Sequence, residues 1–108
     1  MEFVQIRFVT PQGVTTPVDA RVGRTLMQVA LEHRIEGIQA ECGGQCSCAT
    51  CHCYVDQAWV DRLAPKSASE SDLIDFVWEP KPNSRLACQL QVTPDLQGLT
   101  VVVPAQQL

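Results

Sequence analysis

Residues 41–55 read ECGGQCSCATCHCYV, and five of these fifteen are cysteine. A sixth, Cys88, stands alone in SRLACQLQV (84–92). Which of the six act together decides both fold and chemistry, because little else in the 108 residues carries distinctive chemistry. Disulfides are disfavoured, since close neighbours such as Cys46/Cys48 and Cys51/Cys53 have poor geometry for bridging. Structural zinc usually pairs one C-x2-C with another. Here Cys48-Ala-Thr-Cys51 has only the lone Cys88 as a mate, so zinc stays a weaker alternative. A thioredoxin-type motif needs C-x-x-C at a helix start after a strand, whereas CATC sits inside a cysteine-rich loop. The remaining pattern is Cys42-x5-Cys48-x2-Cys51, then 36 residues, then Cys88. Three thiolates from one loop and a fourth from a distant strand suit a 2Fe-2S rhomb, which takes four cysteines. The plant-type spacing C-x4-C-x2-C does not occur, because Cys46-x4-Cys51 would need a cysteine where Tyr54 stands.

The flanks supply the frame for such a loop. In EFVQIRFV (2–9), Val4, Ile6 and Phe8 share one face, which is strand behaviour. TPQG (10–13) follows as a type I turn, and Val14, Thr16 and Val18 alternate again, predicting an antiparallel hairpin. Pro17 suits an edge strand. Thr25 and Gln28 form a T-x-x-Q capping signature ahead of a helix whose face carries Leu26, Val29, Ala30 and His33. Gly37 is its expected stop, and His33 is expected in the core. After the cysteines, CYV (53–55) reads as a short strand. Ser67 and Glu70 sit at capping-box spacing before a second helix, closed by Pro80 and Pro82. Strand-like RLACQLQV, the turn TPDLQG and LTVVV up to Pro104 complete the chain. The expected class is α+β, with a mixed sheet, one main helix and a short acidic helix in a single domain spanning 1–108.

Composition narrows the function. A hydrophobic fraction of 45% with 19% charged residues is globular. No apolar run approaches the roughly 20 residues that cross a membrane. The opening MEFVQIRFVT carries Glu2, Gln5 and Arg7 where a signal peptide is continuously apolar. The expectation is a cytoplasmic monomer, in a compartment where clustered cysteines bind metal. A net charge of −4 argues against nucleic acid and for partners with basic surfaces.

CGGQCSCATCHCYV, followed by KPNSRLACQLQVTPDLQGLTVVVP, resembles the adrenodoxin/putidaredoxin family of vertebrate-type 2Fe-2S ferredoxins over essentially the whole chain. The resemblance implies a β-grasp-like fold holding one 2Fe-2S cluster, with Cys42, Cys48, Cys51 and Cys88 as ligands and Cys46 and Cys53 outside the set. It also implies a one-electron carrier between a flavin-dependent NAD(P)H ferredoxin reductase and an acceptor, typically a bacterial cytochrome P-450. The nearest rival keeps the cluster and changes the acceptor to iron–sulfur cluster assembly or a Rieske-type oxygenase; a zinc-stabilised binding module is the more distant one. Gly43 and Gly44 suit a loop that must turn its N–H groups inward toward sulfur. Ser47, Ala49 and Thr50 are small enough for close approach. His52 could suggest a Rieske site, but that needs two histidines on one iron, and the family gives this histidine a structural role, bonding the cluster loop to the fold.

In SASESDLIDFVWEP (67–80), Leu73, Ile74, Val77 and Trp78 form an apolar stripe at about 100° per residue, with Asp72, Asp75 and Glu79 opposite. Glu70 falls near the apolar side, where capping accounts for it. A solvated helix face explains the acids equally well. The resemblance places the family's acidic interaction helix here, with Glu70, Asp72 and Asp75 at acidic positions and Glu79 beside them. Ala68 and Ser69 replace acids found in adrenodoxin-like members. Glu41 matches an acidic position that putidaredoxin-like proteins turn toward their oxygenase. The chain ends AQQL, so Leu108 offers no aromatic contact of the kind that putidaredoxin has.

Overall fold

The computed structural model describes residues 2–35 and 51–105. Strand β1 (Phe3–Val9) and strand β2 (Thr15–Arg21) form the expected antiparallel hairpin, with Phe3 opposite Arg21 and Val9 opposite Thr15. Its turn closes by Gly13 N–H donating to Thr10 O at 2.9 Å and Thr10 N–H to Val14 O at 2.8 Å. Gly13 takes φ +87°, a conformation cheap only for glycine, and this supplies the left-handed step after a type I turn. On β1 the alternation reads as expected, with Val4, Ile6 and Phe8 buried; on β2 the inward face is Thr16, Val18 and Ala20, while Val14 precedes the strand and is exposed. β2 lies at the sheet edge, where the missing N–H of Pro17 is tolerated.

Helix α1 (Leu26–Glu32) begins with the capping box intact: the Thr25 hydroxyl accepts from Gln28 N–H and the Gln28 side chain accepts from Thr25 N–H. Leu26, Met27, Val29 and Ala30 are buried beneath it. The helix ends earlier than Gly37, which itself lies outside the described residues. His33 is the C-cap, and Arg34 turns the chain with φ +55°. His33 is therefore not a core residue. It is exposed, with Nε2 3.2 Å from the carbonyl of Asp19, because the helix ends at Glu32 before its buried face reaches His33.

The sheet has five strands in the order β2-β1-β5-β3-β4, with β3 (His52–Val55), β4 (Ser84–Leu86) and β5 (Leu99–Val102). β5 runs parallel to β1 and antiparallel to β3, so the sheet is mixed, as the element order implies. The stretch RLACQLQV is strand only up to Leu86. A 3-10 turn over Ala87–Gln89 breaks it, and the chain then crosses to the start of α1. There Leu26 N–H donates to Leu90 O at 2.7 Å and Val92 N–H to Arg24 O at 2.8 Å. That break swings Cys88 inward beneath α1, where continued strand would alternate it past the same place.

Helix α2 (Ala68–Ile74) is N-capped by Ser67, whose hydroxyl accepts from Glu70 N–H. It stops six residues before Pro80. Past Ile74 the backbone tightens, with Phe76 N–H bonding Leu73 O and Val77 N–H bonding Ile74 O. The buried end of Tyr54 then takes the chain over, its hydroxyl donating to Glu79 O at 2.7 Å with Trp78 O at 3.3 Å. The last helical carbonyls need such i+3 partners, which close α2 without proline, and Tyr54 anchors the turn that follows.

Candidate metal centre

Two of the four expected ligands are described, and the fold brings them together. Cys51 immediately precedes β3 and Cys88 sits in the 3-10 turn after β4; both are buried. Their backbones are locked through Cys51 O, which accepts from Ala87 N–H at 2.8 Å. The hydrogen bond with the Cys88 thiol, followed by burial, pushes the Cys51 pKa well above the ordinary thiol value. Two adjacent buried sulfurs are thus hard to ionise unless a cation takes up their charge. That is the condition a thiolate-bound iron site meets, and the soft donor set matches it. The Gln89 side-chain amide donates toward Cys88 Sγ at 3.5 Å.

Cys42 and Cys48, with Glu41, Gly43, Gly44, Ser47, Ala49, Thr50 and Cys46, lie outside the described residues. Among the described residues no group of three or more His, Cys, Asp or Glu side chains gathers as a metal site. Cys51, Cys53 and Cys88 form no disulfide. Cys53 is fully buried opposite Arg85, and burial pushes its pKa up to about 12. It packs as a small apolar side chain.

His52 is buried beside Cys51, with Nε2 2.8 Å from Ser84 Oγ. Ser84 Oγ also accepts from Lys81 N–H at 2.8 Å, so the imidazole ties β3 to the turn ahead of β4. Burial, with a contribution from Lys81, lowers the His52 pKa to about 4, leaving it neutral near pH 7. A neutral ring adds no charge next to Cys51. The edge of His52 meets the Tyr54 ring at 4.6 Å, and Lys81 Nζ lies 4.5 Å from the other aromatic centroid, that of Tyr54.

The acidic segment divides in two. Asp72, Asp75 and Glu79 are exposed, Asp72 and Asp75 on α2 and its cap, Glu79 on the following turn at φ +47°. Glu70, expected to be capping and partner-facing, is neither. It is 1% exposed and holds Arg85 through two bonds, Nε to Oε2 at 2.7 Å and Nη2 to Oε1 at 3.1 Å. Oε2 also accepts from Leu86 N–H at 2.9 Å, and Arg85 Nη1 donates to Ala64 O at 2.7 Å. The carboxylate faces inward because the outer edge of β4 has a buried N–H and a guanidinium to satisfy, which outweigh a solvated position. The sequence offered a weak sign of this in Arg85, a charge directly before the apolar Leu86-Ala87-Cys88.

No helix of the described residues is long and apolar enough to cross a membrane. The family of 2Fe-2S iron-sulfur cluster binding domains matches residues 9–93. Ferredoxin CarAc from Sphingomonas is 42% identical over 104 residues, which are 96% of this chain and 95% of that one. The crystal structure of a ferredoxin from Rhodopseudomonas palustris HaA2 superposes with a TM-score of 0.93 at 46% identity, covering 96% of this chain and 99% of its own. The covalent putidaredoxin reductase–putidaredoxin complex contains a chain 40% identical with a TM-score of 0.89, covering 93% and 97% respectively. Paired buried thiols at one end of a mixed sheet, together with likeness along the full length, fix the family: the chain belongs to the 2Fe-2S iron-sulfur cluster binding domains, as a ferredoxin of the putidaredoxin type.

Proposed function

We propose that this protein carries single electrons from a flavin-dependent NAD(P)H ferredoxin reductase to a cytochrome P-450, as a monomeric, single-domain cytoplasmic carrier. The observation that carries the reading is the buried Cys51–Cys88 pair in a putidaredoxin-type fold. We assign Cys42, Cys48, Cys51 and Cys88 as ligands. Bound there, the cluster supplies one reversible electron at a time. The chain's own residues do the rest. The 3-10 turn positions Cys88, the Cys51 carbonyl and Ala87 N–H lock the two ligand segments, and His52 with Ser84 fixes the start of β3 without adding charge. Gln89 donates toward a ligand sulfur, an interaction that favours the more negative, reduced state.

A nicotinamide gives up a hydride, two electrons together, so a flavin must divide the pair before this carrier can take one. A monooxygenase cycle takes two electrons in separate visits. The carrier must therefore bind, leave and return, which favours small interfaces steered by charge. The exposed Asp72, Asp75 and Glu79, with Glu41, form the proposed docking surface. Glu70 has no place in it.

The decisive experiment mixes the purified protein with NADH or NADPH, a ferredoxin reductase and candidate P-450s. Visible absorption that bleaches on reduction, followed by substrate turnover, supports the reading; a colourless protein holding stoichiometric zinc refutes it. Electron transfer to the acceptor is expected to slow at least tenfold between about 50 and 500 mM salt, as screening shortens the reach of surface charges. Asp72→Asn/Asp75→Asn is expected to weaken it roughly three- to tenfold at low salt, leaving the visible spectrum unchanged. Stopped-flow rates that ignore both salt and these substitutions would remove α2 from the docking surface.

A further inference from the structure

Close in sequence to the exposed acids of the α2 segment stands an aromatic side chain outside the buried core. Phe76 is 74% exposed, the most exposed large hydrophobic among the described residues. Its neighbours in the chain, Asp75 at one side and Val77 at the other, point to water and core respectively. Exposure of one apolar ring is unremarkable by itself. Its mounting is different from that of a loose loop residue. Ile74 and Val77 are buried on either side of it, Phe76 N–H is bonded to Leu73 O at 3.0 Å, and Tyr54 anchors the turn that follows at Glu79 O. Behind α2, Glu70 is clamped to Arg85. The ring is thus exposed on an anchored segment, and Asp72, Asp75 and Glu79, within four residues of it in the chain, are exposed as well.

We propose that Phe76 is the apolar anchor by which this carrier docks on its flavoprotein reductase, entering an apolar pocket rimmed by lysine or arginine side chains. The occupant follows from complementarity. An exposed ring on a segment that also exposes three carboxylates and no cation matches an apolar hollow flanked by cations, and preorganised aromatics within a charged patch are where binding energy concentrates. The choice of reductase rests on the proposed function and on charge. The carrier reaches its reductase oxidised and its acceptor reduced, so it carries one negative charge fewer at the reductase. Attraction to a basic surface is weaker in that encounter, and apolar burial, which does not depend on redox state, contributes a larger share of it.

The test uses the cluster-loaded protein, with Phe76→Ala and Phe76→Leu variants, and ferredoxin reductases including putidaredoxin reductase, screened first for reduction of the wild type. Affinity for the oxidised carrier is measured by calorimetry, together with KM and kcat for reduction. Phe76→Ala is expected to weaken reductase binding roughly ten- to hundredfold, with an unchanged visible spectrum and melting point and an unchanged salt dependence. Phe76→Leu is expected to restore most of the affinity. A reductase that binds Phe76→Ala as tightly as the wild type overturns the anchor while leaving the electron-carrier reading intact. Loss confined to P-450 binding overturns the assignment to the reductase. A wild type that no flavoprotein reductase binds or reduces overturns the proposed function, and the anchor with it.

Discussion

Replacing Cys88 by serine is expected to remove the cluster, leaving less than about a tenth of the wild-type iron and visible absorption, whereas Cys53→Ala is expected to retain both. The two cysteines are a sharp comparison because bulk properties do not separate them. Both are buried, and Arg85, opposite Cys53 on β4, lies only three residues before Cys88. Geometry separates them. Cys88 sits on a turn that leaves the strand and faces Cys51, with which it shares a hydrogen bond. Cys53 sits within β3, surrounded by core, and its pKa is raised chiefly by burial. Losing its sulfur removes a small core volume, at a cost of about 1 kcal/mol. Iron analysis and absorption spectra before and after dithionite check both variants. A coloured Cys88→Ser protein beside a colourless Cys53→Ala protein would exchange their roles.

Legibility in the sequence followed the range of the interaction. The hairpin could be read from Val4, Ile6, Phe8 and the TPQG turn, because alternation and turn chemistry are local. The start of α1 could be read because Thr25 and Gln28 satisfy one another within a single turn. The pairing of Cys51 with Cys88 was legible for a different reason: a fourth thiolate was wanted beside the clustered cysteines, and the family resemblance supplied Cys88, 36 intervening residues away. What the sequence hid were partners that arrive from elsewhere. Tyr54 anchors the turn after α2 from 25 residues away. Glu70 looked like a capping acid because Ser67 stands three residues before it, and Ser67 does cap the helix. The carboxylate itself was claimed by Arg85 and Leu86, fifteen and sixteen residues on. Phe76 falls outside the apolar stripe of Leu73, Ile74, Val77 and Trp78, and the sequence reading gave it no role; its exposure shows only in the structure.

The same buried pair gives the largest expected effect on stability. Arg85→Met is expected to destabilise the protein by about 3–5 kcal/mol, since it leaves the Glu70 carboxylate nine-tenths or more buried without its counter-charge. In a domain of this size that lowers the midpoint of thermal bleaching by on the order of 20 °C. Glu70→Gln/Arg85→Met together is expected to recover more than half of the loss, because no unpaired charge remains and the glutamine carbonyl can still accept from Leu86 N–H. Asp72→Asn and Asp75→Asn, on the same helix but in water, are expected to shift the midpoint by about 2 °C or less. The measurement is loss of visible absorption on heating, since cluster release ends the native state. If the single variant melts like the wild type, the pair does not hold α2 to β4. The consequence would reach function, because the Glu70–Arg85 clamp is what fixes the helix carrying Asp72, Asp75 and Phe76 to the strand that leads into Cys88. A carrier that must be recognised repeatedly at one face and oxidised at one metal centre needs that face and that centre held at a constant distance. The buried Glu70–Arg85 pair, with Arg85 three residues before the proposed ligand Cys88, is where the described fold places that constraint.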